Sequence, residues 1–183
     1  LNQPLPDSTS QNQSIEIPFK KEIVLNNLSF RYSKNTPWVL KNINLKITKG
    51  MHVGFIGATG SGKSTLLDII MGLIQPTKGE VVVDNKAITV INRQAWRRHI
   101  AHVPQSIYLS DNSIEENVAF GIPKNEINKK RVEKSIKQAK IDELIGDSKE
   151  GYQAIVGEQG VRLSGGQRQR VGIARALYKQ TDI

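Results

Sequence analysis

The sequence contains no cysteine, which excludes disulfide bonds and thiolate metal sites. It also has no run of about 18 apolar residues that could cross a bilayer, and no basic and then apolar signal peptide opens it. Acidic residues are few: 17 Asp and Glu face 26 Lys and Arg, for a formal charge of +9. This positive charge favours anionic partners, but it does not distinguish between nucleotides, nucleic acid and an anionic membrane face.

The chain of 183 residues is long enough for one globular domain with a real core, and 38% of its residues are hydrophobic. Residues 1–18 are rich in Asn, Gln, Ser and Pro and offer little to bury. They are therefore predicted to form a flexible linker, with the domain spanning residues 19–183. The chain begins with Leu1 rather than Met, so we expect a piece of a longer or processed chain.

Apolar patterning predicts several strands. Four segments have a strand-like pattern, namely residues 23–32, 43–47, 80–83 and 100–103. In the first of them the alternation changes side at Asn26 and Asn27, which predicts a bulge or turn. Residues 51–57 are more continuously apolar, as expected for a strand buried on both faces of a parallel or mixed sheet.

Helices are predicted between and after these strands. The predicted segments are residues 63–72, 92–98, a helix that starts at Ser113, residues 125–140 and residues 165–179. Ser113 and Glu116 have the spacing of a capping box. In the segment 125–140, Ile127, Val132, Ile136 and Ala139 share one face.

The strongest motif runs over residues 57–65 and fits the pattern G-x-x-x-x-G-K-[ST]. An apolar segment precedes it and a helix-prone segment follows it, as this motif requires. Its glycines let the backbone curl with N–H groups pointing inward, and the helix adds its own donors and positive dipole end. The motif therefore predicts a phosphate loop formed by Gly57, Ala58, Thr59, Gly60, Ser61, Gly62, Lys63, Ser64 and Thr65.

The expected ligand of this loop is an anion of triphosphate size with Mg²⁺. Lys63 is expected to reach the β and γ phosphates as a point charge, and the hydroxyl of Ser64 to hold the Mg²⁺ that bridges them. Thr65 is the less favoured metal ligand. The histidines His52, His99 and His102 have no carboxylate or cysteine partners at metal-ligand spacing, so we expect them to be ordinary core or surface residues.

A second motif places small residues and a hydroxyl at the start of the last helix: Leu163, Ser164, Gly165, Gly166 and Gln167. Locally it could be an N-cap or a second anion cup. With Gln105, the Gly157–Gly160 stretch and the phosphate loop, it makes the chain resemble the nucleotide-binding domain of an ATP-binding cassette (ABC) transporter, especially the exporter type. The resemblance covers residues 19–183.

The resemblance implies a role for each motif. The phosphate loop matches the family's Walker A loop, and Leu163 to Gln167 match the signature sequence, which caps the γ phosphate bound by the opposite subunit. Two such domains would therefore form a head-to-tail dimer with two sites. Gln105 matches the glutamine that meets Mg²⁺ or the attacking water and links the site to the membrane domain. Tyr32 matches the aromatic residue that stacks on adenine.

The resemblance also implies a fold and a location. The expected fold is an α/β P-loop NTPase with a mixed or parallel sheet core, antiparallel N-terminal strands and a helical subdomain at about residues 105–168. Glu158 and the region Tyr108–Phe120 resemble the surfaces that touch the membrane domain, although Gln159 departs from the arginine common in exporters. The domain would lie on the cytoplasmic face of a membrane, and residues 1–18 would lead from an upstream membrane domain.

The chain stops before the family's Mg²⁺-binding aspartate and the glutamate that activates water, so the C-terminal part of the core and the catalytic base are missing. We therefore expect an ATPase in the intact protein, whereas these 183 residues alone should be nearly inactive.

Two alternatives to an exporter stay open at this point. One is a soluble cassette ATPase of DNA repair or translation, and the other is a nucleotide-binding module without catalysis. Kinases and GTPases would leave the signature unexplained, and no Asn-Lys-x-Asp guanine motif occurs.

No nucleic acid partner is expected, because no aromatic residues are interleaved with Arg168, Arg170 and Arg175. The transported substrate is not readable from this sequence.

Overall fold

The computed structural model describes residues 16–142 and 150–183, which fall into two compact units, the first ending at Ile100 and the second beginning at Ala101. Most of the predicted linker, residues 1–15, lies outside the described residues. The first unit contains a four-stranded sheet in the order β2-β1-β3-β4, and all of its pairings are antiparallel. Its elements are β1 (Glu22–Phe30), β2 (Leu40–Thr48), α1 (Lys63–Ile70), β3 (Lys78–Val83), β4 (Lys86–Ala87) and α2 (Arg93–Arg97).

Strand β1 is the centre of this sheet, because it pairs with β2 on one side and β3 on the other. Both pairings shift register between Leu25 and Ser29. Asn27 adopts a left-handed conformation there, with φ of 46°. The predicted bulge is thus confirmed, and it keeps Leu25 and Leu28 both buried although they are an odd number of residues apart.

The core of the first unit lies between the sheet and helices α1 and α2. It is formed by Ile17, Phe19, Ile23, Leu25, Leu28, Phe30, Leu40, Leu66, Ile69, Ile70, Val81, Val83 and Trp96. Ile17 is only 1% exposed, so the predicted linker boundary after Pro18 is too late. The residues before Ile17 are mostly polar, so the composition of the segment did not indicate that Ile17 belongs to the core. Ile17 and Phe19 lie two residues apart, and both side chains pack onto the core.

The predicted strand over residues 51–57 is wrong. The segment has no regular secondary structure, Val53 is 40% exposed and Ile56 is fully exposed. The short strand predicted over residues 100–103 is not formed either. A strand inside a parallel sheet depends on neighbours for its backbone hydrogen bonds, and within the described residues no strand pairs with either segment.

The second unit is helical. It contains α3 (Ile114–Val118), α4 (Lys129–Gln138) and α5 (Gly165–Lys179), with 3-10 turns at Lys124–Glu126, Gly151–Gln153 and Glu158–Gly160. The bounds predicted for α5 are confirmed. Helix α4 is shorter than the predicted 125–140, because Asn128 accepts a hydrogen bond from the Arg131 amide and caps the helix start.

The core of this unit includes the last helix. Val171, Ala174 and Tyr178 of α5 pack with Val132 and Ile136 of α4 in one buried cluster. The compact unit therefore extends beyond the predicted helical subdomain of residues 105–168 and reaches residue 183. The capping box predicted at the start of α3 is confirmed, and its hydrogen bonds from the Ser113 hydroxyl and amide hold the pKa of Glu116 below its ordinary value.

We predict that Gly79→Ala strongly destabilises the first unit. Gly79 has φ of 74°, and an added Cβ would lie 2.2 Å from the carbonyl oxygen of Asn26. The matched control is Gly50→Ala, since Gly50 has φ of 87° but no described atom within 4 Å of an added Cβ. Urea unfolding should give a loss of about 1 kcal/mol for the control and of about 3 kcal/mol or more for Gly79→Ala. Equal losses of stability in the two variants would contradict a clash between the added Cβ at Gly79 and the backbone at the bulge.

We also predict that Asp84→Asn lowers stability at neutral pH and much less at low pH. The Asp84 carboxylate accepts hydrogen bonds from the amides of Lys20, Lys21 and Glu22. Desolvation would raise the pKa of Asp84, but these bonds outweigh it and hold the pKa below the ordinary 3.8. A folded pKa below the unfolded one stabilises the fold above pH 3.8, and this contribution is lost as the pH falls through the folded value.

Asparagine tolerates the left-handed backbone at this position, where φ is 46°, so the substitution tests the charge. Urea unfolding at pH 7 should show a loss of about 1 kcal/mol, discounted for the partial exposure of the group. The loss should be smaller at a pH below 3.8, where the Asp84 carboxylate takes up a proton. The exposed Asp111→Asn serves as the control, and a loss for Asp84→Asn that is the same at both pH values would be evidence against the charged clamp.

Candidate nucleotide-binding site

The phosphate loop connects directly to helix α1 and has the backbone that the motif requires. Gly60 and Gly62 adopt left-handed conformations, with φ of 81° and 88°. Gly62 is the N-cap of α1, and among the described residues no side chain caps this helix start. The first amides of α1 are therefore left as donors for an anion at the positive end of the helix.

The glycines leave room that other residues would fill. A Cβ at Gly57 would lie 2.8 Å from Ser61 Oγ, and one at Gly62 would lie 3.0 Å from Leu40 Cδ2 and 3.2 Å from the Val39 carbonyl oxygen. Gly62 thus lets the loop approach the start of β2 closely. The cradle fits a phosphate group bound by backbone amides.

Lys63 lies over this loop. Its Nζ atom donates hydrogen bonds of 2.8 Å to each of the Gly57 and Ala58 carbonyl oxygens, and it is 3.4 Å from Ser61 Oγ. A cation at the mouth of an amide-lined cup is the arrangement that polyphosphates need. Ser64, the second residue of α1, is exposed, so its hydroxyl is accessible to a ligand.

Tyr32 lies beside the same helix. The residue is 68% exposed, and its ring meets Phe30 edge to face, with centroids 5.0 Å apart. Its hydroxyl is 3.0 Å from Oγ1 of Thr65, which is in the first turn of α1. The structure thus brings the predicted adenine-stacking residue to the phosphate loop. No local sequence pattern indicated this contact, because the two residues are far apart in the chain.

The signature motif begins helix α5 in the second unit. Ser164 Oγ accepts a hydrogen bond from the Gln167 amide, and Gln167 Oε1 accepts one from the Ser164 amide, which completes a capping box. Leu163 is buried, whereas Gly165 and Gly166 are exposed. The motif therefore does act as an N-cap, and its exposed glycines leave the helix start accessible.

Gln105 lies in the second unit, in a segment without regular secondary structure, and it is exposed. The phosphate loop belongs to the first unit, so the role of Gln105 at Mg²⁺ or water stays a prediction. Glu158 and Gln159 are also exposed, in a 3-10 turn where Gln159 has φ of 50°. Tyr108 and Phe120 are exposed and meet edge to face, with centroids 6.4 Å apart.

Arg175 has a structural contact that the sequence did not indicate. Its guanidinium lies 4.5 Å from the centre of the Phe120 ring, and its Nε donates a 3.0 Å hydrogen bond to the Asn117 carbonyl oxygen. Burial lowers the pKa of this arginine. Arg175 therefore provides a specific link between α5 and α3.

The side chains fit Mg²⁺ that is bound mainly through phosphate. Within residues 16–142 and 150–183, no group of three His, Cys, Asp or Glu side chains is placed to hold a metal ion. Mg²⁺ takes oxygen ligands and often keeps only one or two from the protein, and Ser64 offers such an oxygen. In the same described ranges, no helix has the length and apolarity to span a membrane.

A glycine loop that leads into a helix, with a lysine over its carbonyls, defines a P-loop nucleotide-binding domain. Comparison with known proteins narrows this class. The family model described as ABC transporter matches residues 40–183. This chain therefore belongs to the ABC transporter family, and its α/β P-loop fold and its ATP-binding character are confirmed.

The similar proteins are ATP-binding proteins of exporters. The chain is 40% identical over its whole length to the leukotoxin export ATP-binding protein LtxB of Aggregatibacter actinomycetemcomitans, and covers 25% of it. It is 39% identical over its whole length to the leukotoxin translocation ATP-binding protein LktB of Mannheimia haemolytica, and covers 26% of it. The structure of a bacterial Atm1-family ABC exporter with ATP bound matches with a TM-score of 0.83 and 28% identity, over 92% of this chain and 29% of that one. The chain thus spans about a quarter of the length of these curated relatives.

We predict that Ser164→Ala destabilises the second unit, whereas Ser164→Asp does not. Alanine removes the cap of α5, at a cost of about 1 kcal/mol, and aspartate is itself a favoured N-cap. Urea unfolding of both variants checks this. Equal stability of Ser164→Ala and the wild type would mean that the capping box does not contribute to folding.

Proposed function

We propose that this chain is the ATP-binding and ATPase domain of an ABC exporter, which couples ATP binding and hydrolysis to transport across a membrane. The observation that carries the proposal is the phosphate loop, with Lys63 Nζ over the Gly57 and Ala58 carbonyls. The exporter names of LtxB and LktB support the choice of an exporter over a soluble ATPase.

ATP binding divides between two groups of residues in the first unit. The amides of the loop and α1 bind the phosphates, and Lys63 exchanges its carbonyl partners for phosphate oxygens. Ser64 offers its hydroxyl to Mg²⁺, which when bound neutralises charge on the β and γ phosphates. Tyr32 offers its exposed ring to adenine, a stacking contact of about 0.5 to 1.5 kcal/mol.

The signature motif completes a site on a second copy of the domain. Its helix start is exposed, and Ser164, Gly165 and Gly166 present a hydroxyl and backbone amides to an anion. A head-to-tail dimer places the motif of each chain against the γ phosphate on the other. Binding of two ATP molecules then closes the dimer and hydrolysis reopens it.

The remaining partner is a transmembrane domain. We propose that Gln105, Glu158 and the exposed pair Tyr108 and Phe120 face it, and that this domain lies on the cytoplasmic side of the membrane. Hydrolysis belongs to the intact protein. The family's Mg²⁺-binding aspartate and water-activating glutamate have no counterpart among residues 1–183, so these residues alone should bind MgATP with little turnover.

The test is a mixing experiment with two variants of the intact protein. Lys63→Ala damages the phosphate loop, and Ser164→Asp keeps the cap of α5 but places a negative charge where the γ phosphate should bind. Each variant alone should lose ATPase activity, because both sites of its dimer carry the defect. A mixed dimer puts both defects into one site and leaves the other site intact.

Coexpression of the two variants with different affinity tags should therefore restore activity, to about a quarter of the wild type if dimers form at random and sites act independently. The control is Lys41→Ala, an exposed lysine on β2 that should leave activity unchanged. If the mixture stays inactive while both variants fold, the head-to-tail arrangement is wrong. Normal ATP binding by Lys63→Ala would overturn the assignment of the phosphate loop.

A further inference from the structure

Tyr32 needs a restraint if its ring is to bind a base well. It follows the end of β1, and the residue is 68% exposed. An exposed side chain that can change rotamer loses entropy when a ligand fixes it, which weakens binding. A partner that fixes the ring beforehand therefore raises the affinity for the base.

The structure gives the ring two such contacts. Phe30 meets it edge to face at an interplanar angle of 84°. Its hydroxyl forms a 3.0 Å hydrogen bond with Thr65 Oγ1, in which either oxygen can be the donor. Thr65 is buried in the first turn of α1, so its hydroxyl is itself held in place.

From this geometry we propose that Thr65 is a positioning residue for the base. It holds the Tyr32 ring at a fixed place beside the helix whose first turn binds the phosphates. The base and the phosphates belong to one ligand, which must contact the Tyr32 ring and the phosphate loop at the same time. The hydrogen bond between Tyr32 and Thr65 sets the distance between these two binding positions. This role differs from that of a metal ligand, and it rests on the adenine contact of Tyr32 proposed above.

The inference makes a specific claim about coupling. Removal of either oxygen breaks the same hydrogen bond, so Tyr32→Phe and Thr65→Val should each weaken MgATP binding by about threefold, as expected for one partly exposed hydrogen bond. The double variant should be no weaker than the weaker single variant, since there is no further bond to lose. Thr65→Ser keeps the hydroxyl and should bind nearly as the wild type does.

Inorganic tripolyphosphate separates this role from a purely structural one. It occupies the phosphate loop but has no base, so Tyr32→Phe should leave its affinity unchanged. Isothermal titration of the purified chain with MgATP and with tripolyphosphate measures both affinities, and thermal unfolding confirms that each variant is folded. Tyr152→Phe, in the second unit, is the control for loss of a tyrosine hydroxyl elsewhere.

Two results would overturn the inference: wild-type MgATP affinity in Tyr32→Phe, or a double variant whose loss equals the product of the two single losses. Tyr32→Ala distinguishes this from failure of the proposed function. If Tyr32→Ala weakens MgATP binding but Tyr32→Phe does not, the ring binds the base and Thr65 does not position it. If Tyr32→Ala binds normally, the adenine contact itself is wrong.

Discussion

The close packing of Gly62 against Val39 and Leu40 is the constraint on which the site depends. A side chain there would be strained at φ of 88°, and its Cβ would lie 3.0 to 3.2 Å from atoms of Val39 and Leu40, closer than an ordinary contact. This contact fixes the start of α1, and with it the positions of Lys63, Ser64 and Thr65. The sheet thereby supports a loop that is itself exposed, which is how a rigid scaffold usually carries a binding loop.

Helices α1 and α5 both begin in glycine-containing segments, but the unpaired backbone amides at their starts have different partners. Helix α5 has its own cap in Ser164 and Gln167, so it is complete without a ligand. Among the described residues α1 has no side-chain cap, and its donors are left for an anion. The two helix starts thus have similar compositions but differ in their backbone amides. Those of α5 are capped by its own side chains, whereas those of α1 are left for a ligand.

Local signals were predicted well from the sequence. The start of α1 at Lys63, the capping box of α3, the N-cap at Ser164, the bulge at Asn26 and Asn27 and the bounds of α5 each depend on residues close together in the chain, and these predictions agree with the structure. The strand expected over residues 51–57 failed because a buried strand depends on distant pairing partners. Ile17 was missed because composition was averaged over its neighbours, and the contact of Tyr32 with Thr65 has no local signature at all.

The carboxylate of Asp84, at the turn between β3 and β4, holds the amides of residues 20–22. The chain ahead of β1 is therefore fastened to the end of the neighbouring strand β3, and Ile17 is packed into the core just before it. If residues 17–22 are to leave the sheet, the hydrogen bonds to Asp84 must break and the side chain of Ile17 must leave the core.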